Sequence, residues 1–427
     1  MLKSKRNTTR ALMSPFGFLL AACGGSNNDE TNSGIDVPEA APPTRFVTQS
    51  INVSDFERLR LVANDFDADG DVDFIAMPAS YLVSGGNGDA YPAIAITNDN
   101  GILKHTEIIG DQKGTVHPRE YVVADFNNDG FNDLFIADHG WDNDPFPGNQ
   151  NTLLYSNGDG TFTNKSKLLP NYSDYSHSAV SGDLNNDGFV DLFIGNMLDK
   201  NGTPAYILLN IEGNGFEEVA LPVEHFDIRF VSSQLTSCEI VDINNDGTVE
   251  VITGRNVFSP SKIFSFDTEQ NELVFIDTIP EPGFAETTAV YDIQSGDLNA
   301  DGLVDLVLNH RTSEGAALQI LIQNEDGKFD DMTETALPDF DYTQSAFAFI
   351  KLADFDADGD LDIITSSWID RGPVAYVNHQ MNFKALDASQ VLDTGLLRTA
   401  LDPQTGELYG WGLDTVNNTI TISDTIL

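Results

Sequence analysis

Cysteine is nearly absent from this chain of 427 residues, which has two, at positions 23 and 238. Cys238 lies in the strand-like run LTSCEIV, so it is expected to be a buried structural thiol with no disulfide partner. Without covalent staples, a large core has to hold the fold. Basic residues are also scarce: 22 Lys and Arg face 67 Asp and Glu, for a net charge of -45. Such a surface repels nucleic acid and other polyanions over most of its area. Histidine (7) and tryptophan (3) are rare enough that where they gather is informative. No apolar run could cross a bilayer, since the best stretch, ALMSPFGFLLAA at 11–22, is too short. There is no P-loop, nucleophile elbow, dinucleotide fingerprint or Cys/His zinc spacing. VSGGNGD (83–89) is glycine-rich but lacks the helix that a phosphate cradle needs.

The acids, by contrast, are crowded into short runs. DFNNDGFND at 125–133 sets Asp125, Asn127, Asp129 and Asp133 within nine residues, where they repel unless a cation lies among them. Oxygens at positions 1, 3 and 5 with glycine at position 6 form the pattern of a calcium loop. Position 12, which a helix-flanked loop would fill with glutamate, is Ile136, and the closing acid comes early, at position 9. The flanks YVVA and LFIA are β-branched and aromatic, so the loop joins two strands.

The motif occurs six times, with starts 60, 58, 59, 55 and 57 residues apart. The predicted ligands are Asp65, Asp67, Asp69 and Asp73 in the first copy and Asp125, Asn127, Asp129 and Asp133 in the second. Asp183, Asn185, Asp187 and Asp191 form the third set, and Asp242, Asn244, Asp246 and Glu250 the fourth. Asp297, Asn299, Asp301 and Asp305 form the fifth, and Asp354, Asp356, Asp358 and Asp362 the sixth. Tight-hairpin signals follow in TNDNGIL, SNGDGTF, NIEGNGF and QNEDGKF. Each unit therefore reads strand, acidic loop, strand, connection, strand, hairpin, strand. Four antiparallel strands repeated at near-constant spacing predict an all-β fold, a β-propeller with one unit per blade.

At this point the chain resembles the FG-GAP/VCBS repeats of the integrin alpha-subunit propeller and of many bacterial surface proteins, over about residues 50 to 385. That resemblance implies about six structural Ca2+ ions. It says little about function, because the family includes adhesins, lyases and proteins of unknown role. Six motifs account for six blades. LLRTALD, GELYGWGLD and TITIS supply three further C-terminal strands without a calcium loop, and TRFVTQSINV (44–53) is a lone N-terminal strand. Paired, they make a seventh blade that closes the ring and leaves no open edge. Seven blades over residues 44–427 is the expectation, with six and a disordered tail as the alternative.

The N-terminus has a different character. Lys3, Lys5, Arg6 and Arg10 precede the short apolar stretch, as in a signal peptide spanning residues 1–22. Leu20-Ala21-Ala22-Cys23 resembles a bacterial lipobox, which implies cleavage before Cys23 and its acylation. With Gly24 next, the resemblance points to an outer-membrane lipoprotein of the bacterial cell envelope, facing either the periplasm or the surface. The polar segment after Cys23, to residue 43, reads as a disordered tether. The expected partners are the membrane, through the lipid, and a glycan or protein ligand, with the propeller itself monomeric.

If every acidic loop joins strand one to strand two, all six lie on one face. The opposite face then receives HPRE (117–120), DHGWDND (138–144), SHS (176–178), GRN (254–256), NHR (309–311) and SWIDR (367–371). This gives the ligand candidates His117, Arg119, His139, Trp141, His177, Arg255, His310, Arg311 and Trp368. Two functions remain open. One is a tethered binding or adhesion module. The other is a polysaccharide lyase, in which His117, His139 or His177 removes a proton beside a uronate carboxylate neutralised by Arg119 or Arg311. No second catalytic domain is visible, which favours binding.

Overall fold

The computed structural model describes residues 49–424, apart from 53–57, 80–87, 109–113, 145, 198–204, 222–234, 255–259, 284–286, 314, 338–347, 367–371, 393–395, 397, 403, 406, 415 and 418. Residues 1–43, where a leader, an acylated Cys23 and a tether are expected, as well as Arg255 and Trp368, lie outside the described residues.

Seven four-stranded antiparallel sheets form the blades of a β-propeller. The first strand, β1 (Gln49–Asn52), belongs to the last blade. Blade one is β2 (Arg58–Asn64), β3 (Asp73–Ala79), β4 (Ile94–Asp99) and β5 (Ile102–Glu107). Blade two is β6 (Pro118–Ala124), β7 (Asp133–Asp138), β8 (Thr152–Ser156) and β9 (Phe162–Asn164). Blade three is β10 (Ser176–Gly182), β11 (Asp191–Asn196), β12 (Ala205–Asn210) and β13 (Phe216–Ala220). Blade four is β14 (Cys238–Val241), β15 (Glu250–Thr253), β16 (Lys262–Asp267) and β17 (Glu272–Thr278). Blade five is β18 (Thr287–Gly296), β19 (Asp305–Thr312), β20 (Ala316–Gln323) and β21 (Phe329–Asp331). Blade six is β22 (Phe349–Ala353), β23 (Asp362–Ser366), β24 (Ala375–Asn378) and β25 (Phe383–Leu386). Blade seven holds β26 (Arg398–Leu401), β27 (Leu408–Asp414) and β28 (Thr419–Asp424), completed by β1 pairing antiparallel to β28. The closure expected from the two chain ends is therefore present.

Several middle strands are buried along their whole length, as in DFIAMPA of β3 and AYILLN of β12. Their near-continuous apolar runs reflect sheets covered on both faces by neighbouring blades. Seven hydrophobic clusters fill the seven interfaces, one for each adjacent pair. The cluster that closes the ring packs Leu59, Leu61 and Phe74 of blade one against Tyr409, Trp411, Ile420 and Ile422 of blade seven. Cys238 is free and buried in the interface between blades three and four.

Polar latches reinforce these interfaces on the loop face. The last residue of strand three in one blade donates its side chain to the carbonyl of loop position 2 in the blade before. Ser156 Oγ reaches Phe66 O at 2.7 Å, and Asn210 Nδ2 reaches Phe126 O at 2.8 Å. Gln323 Nε2 reaches Ile243 O at 2.9 Å, and Asn378 Nδ2 reaches Leu298 O at 3.0 Å. Asn210 also caps its own hairpin by accepting the Gly213 N–H. Asn210→Ala strands these buried partners, so it is expected to lower unfolding stability by about 1–3 kcal/mol. A urea titration checks this, and a midpoint equal to that of the parent would show that the latch is not stabilising.

Candidate functional sites on the two faces

The six acidic loops all join strand one to strand two and share one backbone conformation. Position 6 is glycine with φ between 86° and 98°, which a side chain would strain. Position 4 is also left-handed, occupied by Asn128, Asn186 and Asn245 in three loops and by Ala68, Ala300 and Ala357 in the others. The carboxylate at position 1 is aimed by the backbone: Gly130 N donates to Asp125 Oδ2 at 2.8 Å, and Asp129 N to Asp125 Oδ1 at 3.1 Å. The same pair of bonds recurs at Asp183, Asp242, Asp297 and Asp354.

The acid at position 9 has a second role that its spacing alone does not reveal. Asp133 accepts Phe126 N at 3.0 Å with one oxygen and Ser156 N at 2.9 Å with the other, joining the loop to the end of strand three. Asp73, Asp191, Asp305 and Asp362 do the same in their blades, and Glu250 accepts Ile243 N. Burial pushes Asp73, Asp133, Asp191 and Asp362 up to about 7, and Asp305 up to about 6.

These loops fit the calcium that the repeat resemblance implies. Ligand oxygens of Asp65, Asp67 and Asp73 lie within 4.8 Å of one another, as do those of Asp354, Asp356 and Asp362. In the first loop, Asp65 Oδ1 and Asp67 Oδ1 are buried and accept no hydrogen bond. Two buried acceptors without a proton donor suit a hard cation, and every side-chain donor is the oxygen such an ion prefers.

On the opposite face, three inner strands carry a β-bulge at the same place. Pro118 pairs with Asp138 and Glu120 with Ala137, so Arg119 is skipped. Ser176 pairs with Asn196 and Ser178 with Gly195, skipping His177, and Val290 and Asp292 pair around Tyr291. Each skipped residue stands six positions before the first Asp of its loop. A bulge re-aims the extra side chain, and here the three converge. Arg119 Nε lies 3.4 Å from His177 Nδ1, and the Arg119 guanidinium lies 5.2 Å from the Tyr291 ring. The His177 and Tyr291 rings are 6.3 Å apart.

Around this point the site widens. The His139 ring lies 5.0 Å from His117, 5.6 Å from His177 and 4.3 Å from Tyr175. Arg311 is exposed and donates to the Tyr291 hydroxyl at 3.2 Å, so it lies at the surface while Arg119 and the imidazoles are buried. His177 Nδ1 is 3.1 Å from the Thr236 carbonyl. Assigning the proton to that shorter contact leaves the imidazole lone pair on Nε2. Burial, reinforced by the neighbouring imidazole and guanidinium groups, holds His117 and His177 well below the usual 6.5, so both are neutral bases at neutral pH.

Toward the axis, the inner strands enclose a cavity of about 220 Å3 lined by Glu120, Tyr121, Glu239, Asp292, Gln294 and Lys351, among others. Burial pushes the Asp292 and Glu239 carboxyls upward. Burial alone would lower Lys351, but Asp292 and Glu120 outweigh it and hold the ammonium above its ordinary value. Arg60 crosses from blade one to clamp the bulge of blade two. It donates to the Arg119 carbonyl, approaches Glu120 at 3.6 Å and stacks 3.7 Å over the Phe349 ring.

Of the sequence-predicted ligand residues, the structure gathers His117, Arg119, His139, His177 and Arg311. Trp141 joins them through its carbonyl, which accepts the Tyr175 hydroxyl at 3.0 Å. His310 is engaged inside blade five, with Nε2 2.9 Å from Gln319 Oε1. Sequence reasoning missed Arg60, Tyr175, Tyr291 and Lys351. Aligning the repeats on the first Asp of each loop would have found Tyr291, which shares its offset with Arg119 and His177.

Seven four-stranded blades, six of them with an acidic strand-to-strand loop on one face, define a seven-bladed β-propeller. Residues 125–194 and 297–365 each match the FG-GAP-like repeat, so the chain is a propeller carrying FG-GAP-like repeats. No curated protein sequence matches it. Among solved structures it is similar to the rhamnogalacturonan lyase YesW, with 13% identity over 89% of this chain and 75% of that one, and a TM-score of 0.43. A likeness at that level carries no argument about activity.

The buried imidazoles give an acid sensitivity whose sign is fixed. Their folded pKa values lie below 6.5, so the unfolded chain binds protons that the folded chain refuses. Their stabilising contribution is present above the unfolded value and is lost as pH falls below it. A His117→Asn/His177→Asn double variant is expected to lose less melting temperature than the parent between about pH 7.5 and 5. Parallel curves for the two proteins would contradict it.

Proposed function

We propose that this protein binds an anionic ligand, a uronate-bearing glycan, on the face opposite the acidic loops, while calcium ions in those loops rigidify the ring. The observation that carries this reading is the convergence of Arg119, His177 and Tyr291 on three equivalent β-bulges. The exposed Arg311 guanidinium, with Arg119 buried behind it, offers charge-assisted bonds to a carboxylate, and the half-buried Tyr291 offers a ring face to a sugar. The acidic remainder of the chain would repel such a ligand elsewhere.

The test is calorimetric binding of polygalacturonate and alginate, with a neutral mannan as control. Arg119→Ala is expected to weaken uronate binding by about 1.5–3 kcal/mol, or roughly 10- to 150-fold, and Arg311→Ala, at an exposed position, to weaken it with little change in melting temperature. Equal binding of the neutral glycan, or unchanged affinity in both Arg119→Ala and His177→Ala, would defeat the reading. A second reading is elimination. It is favoured by neutral His117 and His177 beside a guanidinium, where an imidazole nitrogen could take the proton next to the uronate carboxylate as the glycosidic oxygen departs. A rise in ultraviolet absorbance from the unsaturated uronate product would establish it over simple binding.

For the loops, the expectation is that chelator lowers the melting temperature and added calcium restores it. Each saturable site contributes about 2.7 kcal/mol when the ion is at a hundred times its Kd. Asp129→Ala should remove one ion from the calorimetric stoichiometry. Identical melting in chelator and in calcium would mean that the loops bind no ion.

A further inference from the structure

The outer strand of blade four differs from its counterparts. The other outer strands of the six loop-bearing blades are short or charged at their centres: ILKHTE in β5, FTN in β9, FEEVA in β13, FDD in β21 and FKAL in β25. In β17, ELVFIDT, the centre is Val274, Phe275 and Ile276, which are 42%, 50% and 49% exposed. The other exposed large apolar residues among the described residues are isolated single positions, so this run of three stands apart. Charges and shortness are the usual protection of an edge strand, and β17 has neither at its centre.

A groove of about 650 Å3 opens beside this strand, between blades four and five. Ile263, Ile276, Leu303 and Phe329 supply apolar surface to it. Its rim carries Asp277, Glu325 and Asp326, with Lys328 as the basic residue, and Lys328 is already paired with Asp277. The β17 ladder is interrupted here: Ile263 pairs with Asp277 and Phe264 with Phe275, so Ile276 is skipped. An added strand could not continue such a ladder in register, so an occupant has to be held by its side chains.

We infer that this groove docks an extended segment of another protein in which apolar side chains alternate with lysine or arginine. The apolar residues would enter between Ile276 and Phe329, and the basic ones would meet the rim carboxylates. Charge complementarity decides the occupant, because a second copy of a chain with net charge -45 brings more acid to an acidic rim. This surface is distinct from the proposed glycan site, and neither depends on the other.

The test uses the full chain and three labelled nonapeptides in fluorescence anisotropy. In the first peptide lysine alternates with isoleucine, in the second lysine with serine, and in the third glutamate with isoleucine. Ile276→Ser leaves every charge in place, so it separates the groove from general attraction to an acidic surface. Phe275 packs edge-to-face on Phe264 away from the groove, so the test rests on Ile276→Ser, which lies at the skipped position and is expected to keep the parent melting temperature. The lysine–isoleucine peptide should bind the parent protein at least about tenfold more tightly than Ile276→Ser, while the lysine–serine peptide should not distinguish them. Equal affinity of the lysine–isoleucine peptide for the parent and Ile276→Ser would overturn the inference, as would equally tight binding of the glutamate–isoleucine peptide. A parent dimer in sedimentation that Ile276→Ser turns into a monomer would assign the groove to a second copy instead.

Discussion

The ring depends on one interaction, a buried acid at the end of each acidic loop, which in five of the six loops accepts two backbone N–H groups. Asp133 takes one from Phe126 and one from Ser156, fixing the start of the loop and the end of the third strand with a single side chain. Ser156 then reaches back to the preceding blade at Phe66 O. The acid therefore sets the blade internally and also places the group that ties it to its neighbour. Burial pushes the Asp133 and Asp73 carboxyls up to about 7, which means the same geometry favours any species that brings positive charge. The architecture and the proposed ion site are thus consequences of one residue at one spacing.

The sequence made most of this face legible because its constraints are local. Glycine at a position with φ near 90° and oxygens two residues apart are properties of nine consecutive residues, and six copies in phase establish the blade. Even the seventh blade could be anticipated, since three orphan strands at one end and one at the other need each other. The far face was harder to read. His177 and His310 look alike in sequence, each in a short polar stretch after a strand boundary. A bulge turns His177 toward Arg119, whereas His310 faces Gln319 within its own blade. Whether a strand skips a residue is settled by pairing across the sheet, which composition does not report. Rarity of His, Arg and Trp was a useful filter for His117 and His139, but it passed over Tyr291, whose only signal was its offset from Asp297.

Charge is distributed against the average. A chain with net charge -45 places Arg60, Arg119 and Lys351 at or near its axis, where each meets carboxylates or aromatic rings. Desolvation makes such positions unfavourable for cations unless partners are supplied. Asp292 and Glu120 supply them for Lys351, and Phe349 and Glu120 for Arg60. The cationic far-face site is therefore supported from below by ionic contacts that also join blades one, two, five and six.

The pairing of β1 with β28 also has a mechanical side. The ring is held shut there by four residue pairs, from Gln49 opposite Ile422 to Asn52 opposite Thr419. Any tension on the chain ahead of Gln49 enters the protein through this short ladder, at the blade without an acidic loop. Gln49 is not held by β28 alone. Its side-chain amide donates to the Gly101 carbonyl and accepts the Leu103 N–H from the hairpin of blade one, and Ser50 meets Thr421 at 2.9 Å. A pull that would otherwise unzip one ribbon is therefore shared between two blades at its first point of contact, so the seam bears load as a double anchorage and not as a single peeling edge.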